Sequence, residues 1–116
     1  MRRTKAALVA VTALFLLQSA GASQEQVGAE AAAALFKRRC TICHGQDGKG
    51  DKENAPKAPD FTDPKWQTRH KDGELYRAIS EGIGKGKGSM PSWKTRLSEP
   101  EMKALVKHVR SLGKKQ

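Results

Sequence analysis

The chain has little with which to build an interior of its own. Six of its 116 residues are aromatic, and only Phe36, Phe61, Trp66, Tyr76 and Trp93 lie beyond residue 22. A chain this long makes one small domain, and small domains bury the least surface for their size. Acidic residues are also scarce, 12 against 22 lysines and arginines, for a net charge of +10. Such a surface favours acidic partners or anionic membranes. Its lysines are not interleaved with aromatics as in a nucleic-acid stacking platform, so nucleic acid is not an expected partner. No apolar run reaches the roughly 20 residues of a membrane span. No internal repeat, β-strand pattern, acid/base pair or activated nucleophile is visible, so no enzyme activity is read from the chain.

The one apolar run has a different meaning. Arg2, Arg3 and Lys5 precede an apolar stretch from Ala6 to Leu17, and Ala20, Gly21 and Ala22 follow as small residues suited to cleavage. Residues 1–22 are therefore expected to be a secretory signal peptide and 23–116 the mature domain, with a periplasmic location; retention as an uncleaved anchor is the alternative. Losing Arg2, Arg3 and Lys5 leaves a mature charge of +7.

Both cysteines fall in Cys40-Thr41-Ile42-Cys43-His44. This C-x-x-C-H pattern reads as a covalent c-type haem attachment site. Thiols three residues apart share one side of a helical turn, where they can form thioethers with both vinyl groups of a porphyrin, and His44 can then direct an imidazole nitrogen at the iron. Rival readings are a redox dithiol, a structural disulfide and a metal site. Zinc would need two more ligands from His44, His70, His108 or carboxylates, at no recognised spacing. A dithiol of the thioredoxin kind should follow a strand, whereas an Ala-rich helical run comes first. A buried macrocycle would supply the apolar surface that the side chains lack, so the chain without haem is expected to fold poorly.

Helices are expected over Val27 to Arg39, Asp72 to Glu81 and from Ser98 to about Leu112. The first is Ala-rich with a basic end. The second has Leu75, Tyr76 and Ile79 at helical spacing and stops at Gly82. The third has Ser98 as N-cap, Pro100 in its first turn, Glu101 completing a capping box, an apolar face of Met102, Leu105, Val106, Val109 and Leu112, and Gly113 as C-cap. Pro56, Pro59 and Pro64 are expected to keep residues 52–66 irregular. The glycine-rich stretch 82–89 does not fit a phosphate-binding loop, because Lys87 precedes Gly88. It is expected to bring Met90 close to something flat and bulky. Met102 belongs to the apolar face of the last helix, which leaves Met90, outside any helix, as the candidate thioether ligand opposite His44. A His/Met pair gives a six-coordinate iron at a raised potential.

The pieces C-T-I-C-H-G (40–45), D-G-K-G (47–50), A-P-D-F (58–61), G-E-L-Y-R-A-I-S-E-G-I (73–83), M-P-S-W (90–93) and L-S-E-P-E-M-K-A-L-V-K-H-V-R-S-L (97–112) occur in this order. In them the chain resembles the class I monohaem cytochromes c, especially the short bacterial ones. The resemblance implies an all-α, small cytochrome c-like fold of about three main helices wrapped around one covalent haem c. It implies that the first and last helices cross near one haem edge, with Cys40 and Cys43 as tethers and His44 and Met90 as axial iron ligands. Two positions depart from the family pattern. Ala32 stands where glycine is usual, and His108 where a second aromatic is common; His108 is expected to pack on Phe36. His70 is expected to be a solvated loop residue. Pro59, or less favourably Pro56, is expected to offer a carbonyl to the other nitrogen of His44. Trp66 and Trp93 are candidates for core or propionate contacts, and Lys49, Lys85 and Lys87 for the exposed haem edge.

The function expected is that of a soluble, monomeric periplasmic electron carrier. Its partners would be redox proteins with acidic docking surfaces or membrane respiratory complexes. The alternatives are a haem peroxidase or small-gas sensor, which would need an open iron position, and a haem c subunit of a membrane respiratory complex.

Overall fold

Three long helices surround the core, and two short ones shape its edge. The computed structural model describes residues 24–114, with side chains from residue 28 onward; the expected signal peptide lies outside the described residues. The helices are α1 (Gln24–Arg39), α2 (Thr41–His44), α3 (Pro64–Arg69), α4 (Asp72–Glu81) and α5 (Glu99–Leu112). The only β-type pairing among the described residues is an isolated antiparallel bridge between Ile83 and Met90.

The last helix begins where its sequence says it should. The Ser98 hydroxyl accepts the Glu101 N–H at 3.3 Å, satisfying one of the backbone donors that a helix start leaves open. Met102, Leu105, Val106, Val109 and Leu112 are all buried, at the spacing that keeps one helical face inward. Against that face lie α1 and α4. From α1 come Ala32 (3% exposed) and Phe36 (4% exposed), and from α4 Leu75 and Ile79. Phe36 meets His108 with ring centroids 4.8 Å apart, so the imidazole fills the place of the missing aromatic. Gly113 caps α5 with an ordinary helical φ of −73°. Close approach, not a left-handed turn, requires glycine there: a Cβ would sit 2.6 Å from Cγ of Gln67.

Residues 52–66 are not irregular throughout. Asp63 accepts the Lys65 N–H at 2.9 Å and Pro64 starts α3. Proline is well suited to the first helical position, where its missing N–H has no intrahelical partner to lose. This short helix then serves as a lock. Gln67 donates its amide to the carbonyls of Phe61 (2.8 Å) and Val109 (3.0 Å). Arg110 donates to the Gln67 carbonyl (2.7 Å), the Gln67 side-chain oxygen (2.9 Å), the His70 carbonyl and Asp72 (2.7 Å). One guanidinium thus ties α5 to α3 and to the start of α4.

Candidate functional site

The C-x-x-C-H segment forms α2 and continues the path of α1 after one turn residue. The His44 N–H donates to the Cys40 carbonyl at 2.9 Å, and Thr41 Oγ1 donates back to the Lys37 carbonyl at 2.8 Å. The following loop folds over this turn, with Gly50 N–H donating to His44 O and Asp51 N–H to Cys43 O, each at 2.8 Å. Burial, and then the neighbouring Cys43, push the Cys40 thiol up to about 11. Burial also holds the His44 imidazole below its ordinary 6.5, so it is neutral at pH 7 with a lone pair free to ligate.

The His44 ring lies on Phe61, centroids 4.8 Å apart and planes at 22°. Its Nδ1 is buried and has no hydrogen-bond partner. A buried polar atom in that state costs about 1–3 kcal/mol. The expected proline contact is therefore not made. Pro59 shares both the inner cavity and the outer cleft with His44, whereas Pro56 shares only the outer cleft.

Met90 comes from the segment that follows α4. After α4 the backbone turns at Gly82 (φ 77°, ψ 178°) and returns so that Ile83 and Met90 exchange hydrogen bonds of 3.0 and 2.9 Å. Ser92 Oγ donates to the Ser80 carbonyl at 2.6 Å, and the Trp93 N–H to the Ile79 carbonyl at 3.0 Å. Met90 is thus fastened to the C-terminal end of α4. A Cβ on Gly82 would lie 2.5 Å from the Met90 carbonyl oxygen. Close backbone approach dictates that glycine.

Cys40, His44, Pro59, Met90 and Trp93 line one apolar cavity of about 100 Å³, and the same five residues line an adjoining cleft of about 610 Å³ that also reaches Cys43. Room of several hundred Å³ with apolar walls suits a cofactor. The cleft rim carries Arg39, Lys57, Lys85 and Lys87 against the single acid Glu53. Ile42 and Ile83, 68% and 60% exposed, stand beside them. Lys85 and Lys87 line the cleft together with Met90. Lys49 is not among the cleft residues; it acts on the carboxylate of Asp60. Arg39 and Lys57 were not anticipated, and they lack a local pattern that would single them out.

The other histidines are occupied elsewhere. His70 is, as expected, a partly exposed residue between α3 and α4, and it also has partners: its ring lies 4.7 Å from Trp66, and its Nδ1 is 3.2 Å from Glu74. His108 lies against Phe36. Neither lines the cavity or the cleft, so neither is placed to complete a zinc site with the two thiols.

Residues 28–109 match the family "Cytochrome C oxidase, cbb3-type, subunit III". The chain belongs to this family. It is 37% identical over 106 residues to the cbb3-type cytochrome c oxidase subunit CcoP of Rhodobacter capsulatus, covering 85% of this chain and 34% of that protein. It is 38% identical over 79 residues to the subunit FixP of Bradyrhizobium diazoefficiens, covering 68% of this chain and 26% of that protein. The chain thus spans about a third or less of the length of these relatives. Among solved structures it is similar to the KustC0563 c-type cytochrome, with a TM-score of 0.61 and 32% identity over 70% of this chain and 95% of that one. The all-α cytochrome c-like fold follows, as does membership of a cytochrome c family. The residues fit a haem c: an apolar cleft, two thiols on one helical turn, a neutral imidazole beside them, and a thioether lining the same cavity.

Proposed function

We propose that this chain is a one-electron carrier domain holding one haem c, tethered by Cys40 and Cys43 and ligated by His44 and Met90, and that it works as the haem c module of a membrane respiratory complex of the cbb3 oxidase kind. The observation that carries the reading is the convergence of Cys40, His44 and Met90 on one apolar cavity, together with the relatives CcoP and FixP, both oxidase subunits. Haem c supplies a one-electron couple. The chain supplies the two axial donors, low-dielectric walls and an exposed, basic-rimmed edge. Were His44 and Met90 both to ligate a bound haem, they would leave no position open to peroxide or small gases, which disfavours the peroxidase and sensor readings.

A second reading, a separate exported carrier, is favoured by the match to nearly the whole length of the KustC0563 c-type cytochrome. In both readings residues 1–22 direct export to the periplasm, and acidic partner surfaces meet the basic rim with a salt-dependent rate. A redox titration of the purified protein followed by visible absorption tests the carrier reading: a single reversible one-electron wave of a c-type haem is expected. Fractionation of the native host separates the two settings, since a complex subunit co-purifies with membrane oxidase and a free carrier is recovered in the periplasmic extract with Ser23 at its N-terminus.

A further inference from the structure

The structure strings two of the few aromatic rings between two histidines. From His44 on Phe61 (4.8 Å) the contacts continue to Trp66 (4.9 Å) and on to His70 (4.7 Å). The inner end is the candidate iron ligand. The outer end is a side chain 38% exposed.

Packing alone accounts for Phe61 on Trp66. At the outer contact His70 is the C-cap residue of α3, its backbone is fixed at both polar atoms, and its ring, lying over the indole, is held by Glu74. Its Nδ1 is 3.2 Å from Glu74, its backbone N–H donates to the Trp66 carbonyl at 3.3 Å, and its carbonyl accepts from Arg110. The other aromatic path from His44 runs through Phe36 to His108 and opens with a 6.3 Å step. Only the Phe61 path keeps every step under 5 Å. Conjugated rings in contact couple redox centres better than saturated side chains, because their π orbitals lie closer in energy to the transferring electron.

We propose that Phe61, Trp66 and His70 form an electron route between His44 and a face of the protein separate from the open cleft; the inference rests on the haem reading above. Phe61 and Trp66 line the inner cavity beside His44, and His70 lines neither that cavity nor the outer cleft that holds Ile42, Lys85 and Lys87, so the rings lead from the cavity to a surface other than the cleft rim. In the step, a one-electron donor at the His70 face is oxidised by one electron and ferric iron becomes ferrous. The rings are neither oxidised nor reduced, no proton moves and no bond changes. Glu74 and Arg110 are positioning residues for the outer ring. Two faces let a domain in a relay take an electron at one and pass it on at the other without exchanging partners.

The test uses the haem-loaded protein, in which both native cysteines are consumed as thioethers. A thiol-reactive ruthenium polypyridyl complex is attached at Lys71→Cys, beside His70, or at Lys85→Cys, on the cleft rim, and laser-triggered reduction of the haem is timed. Trp66→Leu is expected to slow the rate from position 71 severalfold and that from position 85 far less, with Trp66→Phe restoring most of the loss; because Trp66 also lines the cavity beside His44, the haem potential of each variant is measured alongside and is expected to stay at the parental value for His70→Leu. His70→Leu, at a half-exposed position outside the cavity, is expected to slow the rate from 71 as well and decides the matter should Trp66→Leu not fold. Parental rates in these variants, or equal slowing from both label sites, overturn the route while leaving the haem reading intact. A parent protein without a c-type haem spectrum overturns both.

Discussion

Replacing Gly82 with alanine should detach Met90 from its place. Gly82 has φ 77° and ψ 178°, a region open essentially to glycine alone, where another residue costs about 1–3 kcal/mol. The added Cβ would also meet the Met90 carbonyl oxygen at 2.5 Å, and Pro91 C and Ser92 N each at 2.9 Å. These are backbone atoms, so no rotamer change relieves them. The segment must move, and the two hydrogen bonds between Ile83 and Met90 go with it at about 1 kcal/mol each. The combined loss is roughly 3–5 kcal/mol, a large part of the stability of a small domain. Gly84→Ala is the control: its φ is similar at 73°, but its Cβ would meet only Ser89 Cβ, at 3.7 Å. Denaturant unfolding and the far-red absorption of an iron–methionine bond should be measured together. Gly82→Ala should lose both stability and the far-red feature, and Gly84→Ala should keep that feature. If Gly82→Ala unfolds like the parent with its far-red absorption intact, the argument that Gly82 sets the position of Met90 is wrong.

Three further outcomes are expected. Arg110→Met should destabilise by on the order of 2 kcal/mol in denaturant melts, through the carbonyls of Gln67 and His70 left unpaired; the ion pair with the exposed Asp72 contributes little. Asp60 is held below its ordinary 3.8 by the Thr62 hydroxyl first, then by the Thr62 N–H and by Lys49 and Lys52. A depressed folded value stabilises above the unfolded one and is lost as pH falls through the folded one, so Asp60→Asn should flatten the acid limb of the stability profile below about pH 4 and leave its neutral part parallel to the parent. Cys40→Ser with Cys43→Ser should yield haem-free chain with weakened helical circular dichroism and no sharp melt, since the cleft walls then face water; a parental melt would refute the haem's share in the core.

The two later long helices were legible because their signals are local. Ser98, Pro100 and the apolar period mark α5, and Gly82 ends α4 at the residue anticipated. Cys40, Cys43, His44 and Met90 stood out because each sits in a short pattern with a chemical reason. The start of α3 was hidden by its own proline: Pro64 reads as a breaker until Asp63 before it is taken as an N-cap. The lock of Gln67 with Arg110 was not legible at all, because it joins residues 43 positions apart in the chain and neither lies in a pattern. The same holds for Phe61 against His44, a contact set by how the loop before α3 closes over the core, which no local spacing encodes. His70 on Trp66 is a local i,i+4 contact, hidden because α3 itself was not anticipated.

The central claim is that His44 and Met90 close both sides of one covalently bound haem. The ferric visible spectrum of the purified protein, taken with that of Met90→Ala, tests it most directly. The account predicts a low-spin spectrum with weak far-red absorption in the parent, lost on substitution as the iron opens to cyanide. A high-spin parent that already binds cyanide or carbon monoxide, or a far-red band that survives Met90→Ala, would contradict it.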